Sequence, residues 1–175
     1  MCNAKVFGLA LFFCGVSFVL AAGVGVPKRE DVPKYLKQLQ TAQSAAERAK
    51  AAEMLGKRGG INANDVEVAI EPLKKSLQKD IDAKVRAAAA RALGDIHPED
   101  ATGTVKILID RLKNDTSMDV KLATVVALGQ FGSESKAALP DLRELGKKFD
   151  AKKSKEGQTI MTTIQLINMG KKKKA

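Results

Sequence analysis

Apolar positions along most of the chain recur every three or four residues. Two segments show this spacing clearly: Ala69, Ile70, Leu73 and Leu77 in the first, and Val105, Leu108, Ile109 and Leu112 in the second. Such spacing places the apolar side chains on one face of a helix. Strands would instead alternate apolar and polar residues, and that alternation is absent from the sequence. The pattern therefore predicts an all-helical protein in which each helix buries one face.

One ten-residue segment occurs three times. Residues 47–56, 85–94 and 120–129 align without gaps, and each copy ends on a glycine. A leucine lies eight residues before the first position of each copy: Leu39, Leu77 and Leu112. Because that leucine belongs to a preceding helix, one repeat is predicted to be helix, turn, helix. A fourth first helix is expected at 137–149, so the prediction is eight helices in four antiparallel pairs.

Glycine and aspartate residues predict where these helices stop and start. Each repeated segment ends on a glycine that we expect to stop its helix in a left-handed conformation: Gly56, Gly94 and Gly129. Four aspartates are predicted to lie in the turns between helices: Asp80, Asp82, Asp115 and Asp119. Of these, Asp82 or Asp119 is expected to cap a second helix.

The second copy of the repeat carries a resemblance to a known family. Its defining positions are Pro72, Leu73, Leu77, Asp80, Val85, Arg86, Ala89, Ala92, Leu93 and Gly94. With their partners across residues 32–146, they resemble the HEAT repeat family in its bacterial HEAT-like form, related to phycobilisome lyase repeats. The resemblance implies a right-handed α-solenoid of about four antiparallel helix pairs, with the second helices lining a concave surface. It implies no particular function, because such repeats serve many roles.

Residues 1–22 have a different pattern and predict export. Lys5 precedes a run without charge from Val6 to Val26, in which small residues replace apolar ones after Leu20. This is typical of a signal peptide, with cleavage expected after Ala22. An uncleaved membrane anchor is the alternative, since the run is long enough to span a bilayer. We therefore expect an exported protein that is periplasmic or extracellular. It would be associated with the membrane if the anchor is retained. Residues 27–170 would form the repeat domain.

Composition excludes most catalytic chemistry in the remaining chain. Both cysteines, Cys2 and Cys14, lie in the first 22 residues, and one histidine, His97, is left. Cysteine nucleophiles, disulfides and multi-histidine metal centres are thus excluded. The resemblance implies three kinds of enzymatic relative: a hydroxylase built on His-Glu pairs, chromophore lyases and DNA glycosylases. The chain has one histidine and no adjacent His-Glu pair, and nothing in it marks a bilin pocket. The export signal argues against a lyase, and three aromatic residues in an exported chain argue against a glycosylase. We expect no enzyme, no catalytic residue, no cofactor, no metal and no nucleic acid partner.

The net charge of +10 is concentrated at the C-terminus. Residues 27–146 hold 20 basic and 18 acidic side chains, whereas 147–175 hold nine lysines against Asp150 and Glu156. Four of these lysines form the tail at 171–175: Lys171, Lys172, Lys173 and Lys174. The tail is either a solvated end that favours solubility or an attachment to anionic lipid or acidic polymer.

Basic residues within the repeats are the candidate protein-binding positions. Arg48, Arg86 and Lys121 occupy the same place in successive second helices. Either they project from the concave face toward a partner, or they pair with turn aspartates such as Asp80, as the Asp and Arg ladder of the resembling family implies. Arg91 is less regular and is a further candidate. The sequence thus favours a non-catalytic exported scaffold that binds a protein partner on its concave face; the alternative is a peripheral envelope protein attached through its tail.

Overall fold

The computed structural model describes residues 25–150 and 153–170, and helices dominate both stretches. The eight α-helices of this described part are α1 (Val32–Thr41), α2 (Ala45–Gly59), α3 (Ile70–Lys79), α4 (Ala83–Ile96), α5 (Ala101–Asn114), α6 (Met118–Phe131), α7 (Leu139–Gly146) and α8 (Lys155–Met169). Consecutive helices pack as pairs, α1 with α2 through α7 with α8. The predicted eight helices in four pairs are confirmed, and the described residues contain no strand. The expected signal segment and the lysine tail lie outside the described residues.

Short 3₁₀ segments connect the pairs at two places. Ala63–Ala69 leads into α3, and Gly132–Ala138 leads into α7. The fourth first helix is consequently shorter than the predicted 137–149. It begins at Leu139, directly before Pro140, because proline suits the first turn of an α-helix, where its missing N–H is not needed. Phe149 follows the helix in a turn and packs against the core.

The helices form two layers that differ in spacing. The even-numbered helices α2, α4 and α6 pack tightly against one another, whereas odd-numbered neighbours touch at few points. Alanines fill the contacts of α2 and α4 and let the two backbones approach. A stack in which one layer is more closely spaced curves toward that layer. The even-numbered helices thus lie on the concave side, where the resemblance expected the second helices.

The core runs continuously between the two layers. Its largest fully buried side chains include one leucine at the same position of each copy of the repeated segment: Leu55, Leu93 and Leu128. At the first pair Leu39 is buried and Tyr35 is half-buried against the core. At the last pair Ile160 and Ile167 are buried. Neighbouring pairs therefore cover each other's apolar faces, as a solenoid requires.

The repeat glycines do not stop their helices. Gly56, Gly94 and Gly129 lie two or three residues inside the ends of α2, α4 and α6, and none has a positive φ. The prediction of a left-handed stop was wrong at all three. Their role is close approach: a Cβ on Gly94 would lie 2.8 Å from Ala127 Cα, and one on Gly56 would lie 2.7 Å from Ala92 Cα. The left-handed residue that ends α4 is His97, at φ 51°.

One of the two expected helix caps is present. Asp82 accepts hydrogen bonds from the backbone N–H groups of Lys84 and Val85 at the start of α4, at 2.8 and 3.4 Å. Asp119 lies inside the first turn of α6, and Ser117 occupies the cap position. The repeat alignment explains the difference, because Ser117 is the counterpart of Asp82. The prediction for Asp119 was therefore wrong.

We expect Gly94→Ala to lower the free energy of unfolding by about 1–3 kcal/mol, because the new methyl group must push α4 away from α6. Alanine's advantage in helix propensity, about 1 kcal/mol, does not compensate. Gly129→Ala is the matched control, since its Cβ would meet only side-chain atoms at 3.2 Å or more. Urea unfolding of both variants checks the prediction. Equal stabilities would mean that the α4–α6 spacing relaxes freely.

Candidate functional site

Two arginines of the repeats bind aspartates of the following repeat. Arg48 donates from Nε and Nη2 to the two carboxylate oxygens of Asp80, at 2.8 and 2.9 Å. Arg86 contacts Asp115 with the same geometry and the same distances. We call these two pairs the Asp–Arg ladder. Its bidentate geometry matches the fork of the guanidinium group to the carboxylate.

Each arginine of the ladder also binds the turn that precedes its own helix. Nη1 of Arg48 donates to the carbonyl oxygens of Ala42 and Gln43, and Nη1 of Arg86 does the same to those of Asp80 and Ile81. One guanidinium thus connects the turn of its own repeat to the turn of the next. Arg48 and Arg86 therefore lie in intramolecular pairs at the edge of the stack. Of the two roles that the sequence left open, partner binding and pairing with turn aspartates, the structure shows the pairing.

The ladder keeps its carboxylates ionised. Burial alone would raise the pKa of Asp115, but the hydrogen bonds from Arg86 and from the backbone N–H of Ser117 outweigh it and hold the pKa below its usual value. The pKa of Asp80 is likewise lowered, because the bonds from Arg48 and the backbone N–H of Asp82 outweigh burial.

Acid should destabilise the fold through these two aspartates. Their pKa is lower in the folded than in the unfolded chain, so the ladder contributes its full stability above the unfolded value of about 3.9 and loses it as pH falls through the folded values. We expect the free energy of unfolding to change little through these groups above about pH 5 and to fall steeply below about pH 4. Urea unfolding at a series of pH values measures this. Asp115→Asn should flatten the acid limb, and an unchanged limb would contradict the prediction.

Lys121 and Arg91 have other surroundings. Lys121, the third basic position, donates from Nζ to the carbonyl oxygen of Lys113 at 3.0 Å and so binds its own repeat. Arg91 is exposed on α4. Its side chain lines a small cavity of about 160 Å³ between α4, α6 and the start of α8. Arg91 is thus placed at an opening on the concave side, whereas Arg48 lines a different cavity, of about 940 Å³, formed with residues of α1 and α3.

A larger opening lies between α6 and α8 and shares three residues with that cavity: Val126, Lys155 and Thr159. It measures about 640 Å³. Its remaining lining residues are Gly129, Gln130, Gln158, Thr162, Thr163 and Leu166. We call the two openings together the α6/α8 groove. Val126 is 42% exposed, and the groove offers more apolar than polar surface.

The groove exists because α8 packs less closely than its predecessors. A Cβ on Gly129 would lie 3.2 Å from the hydroxyl of Thr163, whereas one on Gly94 would overlap the backbone of α6. Thr163 Oγ1 donates across this interface to the carbonyl oxygen of Val125 at 3.3 Å. The larger side chains of α8 hold the helices apart and leave Val126 uncovered.

Sequence reasoning missed most of the groove, although one signal for it was present. Val126 occupies the repeat position held by Glu53 in α2 and by Arg91 in α4, both of which are exposed. An apolar residue at an outward-facing position indicates a surface that something covers. The residues of α8 carried no such signal, because the repeated segment does not extend to that helix.

His97 has structural contacts. Its ring stacks on Phe131 with centroids 4.6 Å apart, and its Nε2 lies 3.3 Å from a carboxylate oxygen of Glu134. Within the described stretches, no three metal-ligating side chains come together to hold an ion. In the same stretches, every helix is too short or too polar to span a bilayer.

Two layers of paired helices and an intramolecular ladder define an α-solenoid. The family model for HEAT repeats matches residues 70–153, and this match fits the all-helical solenoid. No curated protein matches the chain significantly. HEAT repeats commonly mediate protein–protein interaction, and their scaffolds are generally non-catalytic.

Proposed function

We propose that this protein is a non-catalytic, exported scaffold that binds a protein partner on its concave, even-numbered helices. The observation that carries the proposal is the α6/α8 groove, an apolar depression with a polar rim on that side. Isolated apolar residues are common on protein surfaces, but an apolar floor inside a groove of several hundred Å³ is typical of a binding site.

The Asp–Arg ladder supports this function indirectly. It ties the first repeat to the second and the second to the third at the edge of the stack, so this part of the concave side keeps its shape before a partner arrives. A preformed surface loses little conformational entropy on binding, and a larger part of the contact energy then remains as affinity. Arg48 and Arg86 would act by holding the surface, and Arg91 by touching the partner.

Site-specific photocrosslinking in the source organism tests the proposal. A photoreactive amino acid is placed at exposed concave positions, Glu53 and Thr162, and at exposed positions of the odd-numbered helices, Lys106 and Arg143. We expect discrete adducts with one protein from the concave positions only. Equal adducts from both layers, or none from the concave layer, would refute the scaffold function.

Attachment to an anionic surface through Lys171–Lys174 is the second candidate, favoured by the concentration of positive charge at the C-terminus. Deleting residues 171–175 distinguishes it from the first. Crosslinks from Thr162 should persist in the truncated chain if the scaffold function holds, while salt-sensitive attachment to the membrane fraction should disappear if the tail anchors the protein. Fractionation of the same cells also tests export.

A further inference from the structure

We infer that the α6/α8 groove recognises an acidic peptide segment of the partner, in which a carboxylate lies between Arg91 and Lys155 and a neighbouring aliphatic side chain covers Val126. This inference rests on the proposed function and names the chemistry of the partner. Three observations carry it: the cations at one end of the groove, its apolar floor and the polar groups of its rim.

Among the described residues, the two cations have no carboxylate partner of their own. Arg91 and Lys155 are exposed, and no carboxylate of the described residues lies within ion-pair distance of either. Both line the small cavity at the end of the groove, together with one acidic residue, the half-buried Glu156. Two positive charges against one negative charge leave this end of the groove positive. An incoming carboxylate therefore finds hydrogen-bond donors that no other side chain of the described residues holds.

The floor of the groove selects for an apolar neighbour of that carboxylate. Val126 and the half-buried Leu166 lie on it, and the threonines of α8 add methyl groups. A volume of about 640 Å³ admits one or two large aliphatic side chains. Water leaves Val126 when such a side chain binds, and this burial supplies affinity that the charges alone would not.

The rim suits a peptide backbone better than a nucleic acid or a lipid surface. Gln158 and Thr162 present an amide and a hydroxyl along α8, able to bond backbone N–H and C=O groups. A nucleic acid would require a row of cations spaced along the phosphates, whereas the groove has two at one end. Of the macromolecules with negative charge, an acidic peptide therefore fits the geometry.

Peptide selection on the full-length chain is the test. Random twelve-residue peptides are displayed and selected against the immobilised protein, and the enriched sequences are synthesised and titrated by fluorescence anisotropy. We expect enrichment of sequences that join Asp or Glu to Leu, Ile or Val. Arg91→Glu and Lys155→Glu should each weaken binding about tenfold or more, because a charge reversal replaces attraction by repulsion.

Matched variants separate a local contact from overall charge. Lys57→Glu on α2 and Lys106→Glu on α5 change the net charge by the same amount at exposed positions outside the groove. They should leave the affinity within about twofold, apart from weak long-range effects that salt suppresses. Val126→Thr keeps a β-branched side chain while adding a hydroxyl, and it should weaken binding without affecting the charge preference.

Several results would overturn the inference. In the selection, these are enrichment of basic or purely apolar peptides, or enrichment of no sequence by the wild type. In the titrations, they are an Arg91→Glu variant that binds the peptides as tightly as the wild type, or a nucleic acid or anionic vesicles that bind more tightly at the same residues. Each leaves the scaffold function standing if Thr162 still crosslinks to a protein partner. Loss of that crosslink, by contrast, would remove both proposals.

Discussion

Arg86→Ala should lower the free energy of unfolding by about 3–5 kcal/mol, the usual cost of removing one partner from a buried ion pair. The side chain of Asp115 is only 1% exposed, so its carboxylate would remain buried with the backbone N–H of Ser117 as its main donor. The variant would also free the carbonyl oxygens of Asp80 and Ile81, which Nη1 of Arg86 binds.

Urea unfolding followed by circular dichroism measures the loss. The control is Lys147→Ala, which breaks an exposed pair with Glu144 and should leave the free energy of unfolding nearly unchanged, because water screens such a pair. Arg86→Lys keeps the charge but not the bidentate fork, and its stability should fall between those of the wild type and Arg86→Ala. If Arg86→Ala lost no more than Lys147→Ala, the ladder would not be what joins the repeats.

The same pair allows a sharper comparison. The double variant Arg86→Met, Asp115→Leu removes both charges, so no buried carboxylate is left without its partner. We expect it to be more stable than Arg86→Ala although it changes two residues. The double variant could instead be less stable than Arg86→Met alone and than Asp115→Leu alone. That result would show that the hydrogen bonds to the turns, and not the ion pair, are the main contribution of Arg86.

The helix pairs were predictable from the sequence because the same apolar spacing occurs in several copies. Each copy of the repeated segment ends in Leu-Gly, and its leucine is fully buried at an equivalent place: Leu55, Leu93 and Leu128. The glycine after each leucine misled the prediction. A missing side chain suits both a left-handed stop and a close helix contact, and the sequence alone does not separate the two. The helices continue beyond Gly94 to Ile96, which settles the matter in favour of close contact.

The site was less predictable because it depends on distances between segments far apart in the sequence. Arg86 and Asp115 are 29 residues apart, and the sequence left both pairing and partner binding open for Arg86. The α6/α8 groove arises from the larger spacing of α8, a helix whose sequence does not follow the repeat. Its width is set by contacts such as that of Thr163 with Val125, which no local pattern encodes.

Leu93→Ala should lower the free energy of unfolding by about 2–5 kcal/mol, through lost burial and through the cavity it leaves. Leu93 is fully buried in α4, which packs between α2 and α6, so neither neighbour can move in without opening its other contacts. Collapse of the cavity is therefore limited, and we expect a loss in the upper half of that range.

Leu39→Ala is the matched control for this variant. Leu39 is also buried, but it lies in α1, the first helix of the described stack, which the other described helices contact on one side only, so it is freer to relax. Its loss should be smaller than that of Leu93→Ala. We expect the solenoid to unfold as one unit, so in both variants the urea midpoint should shift while the slope stays constant. A reduced slope for Leu93→Ala alone would show instead that the central repeat uncouples the two ends, because a solenoid depends on each interface between neighbouring repeats.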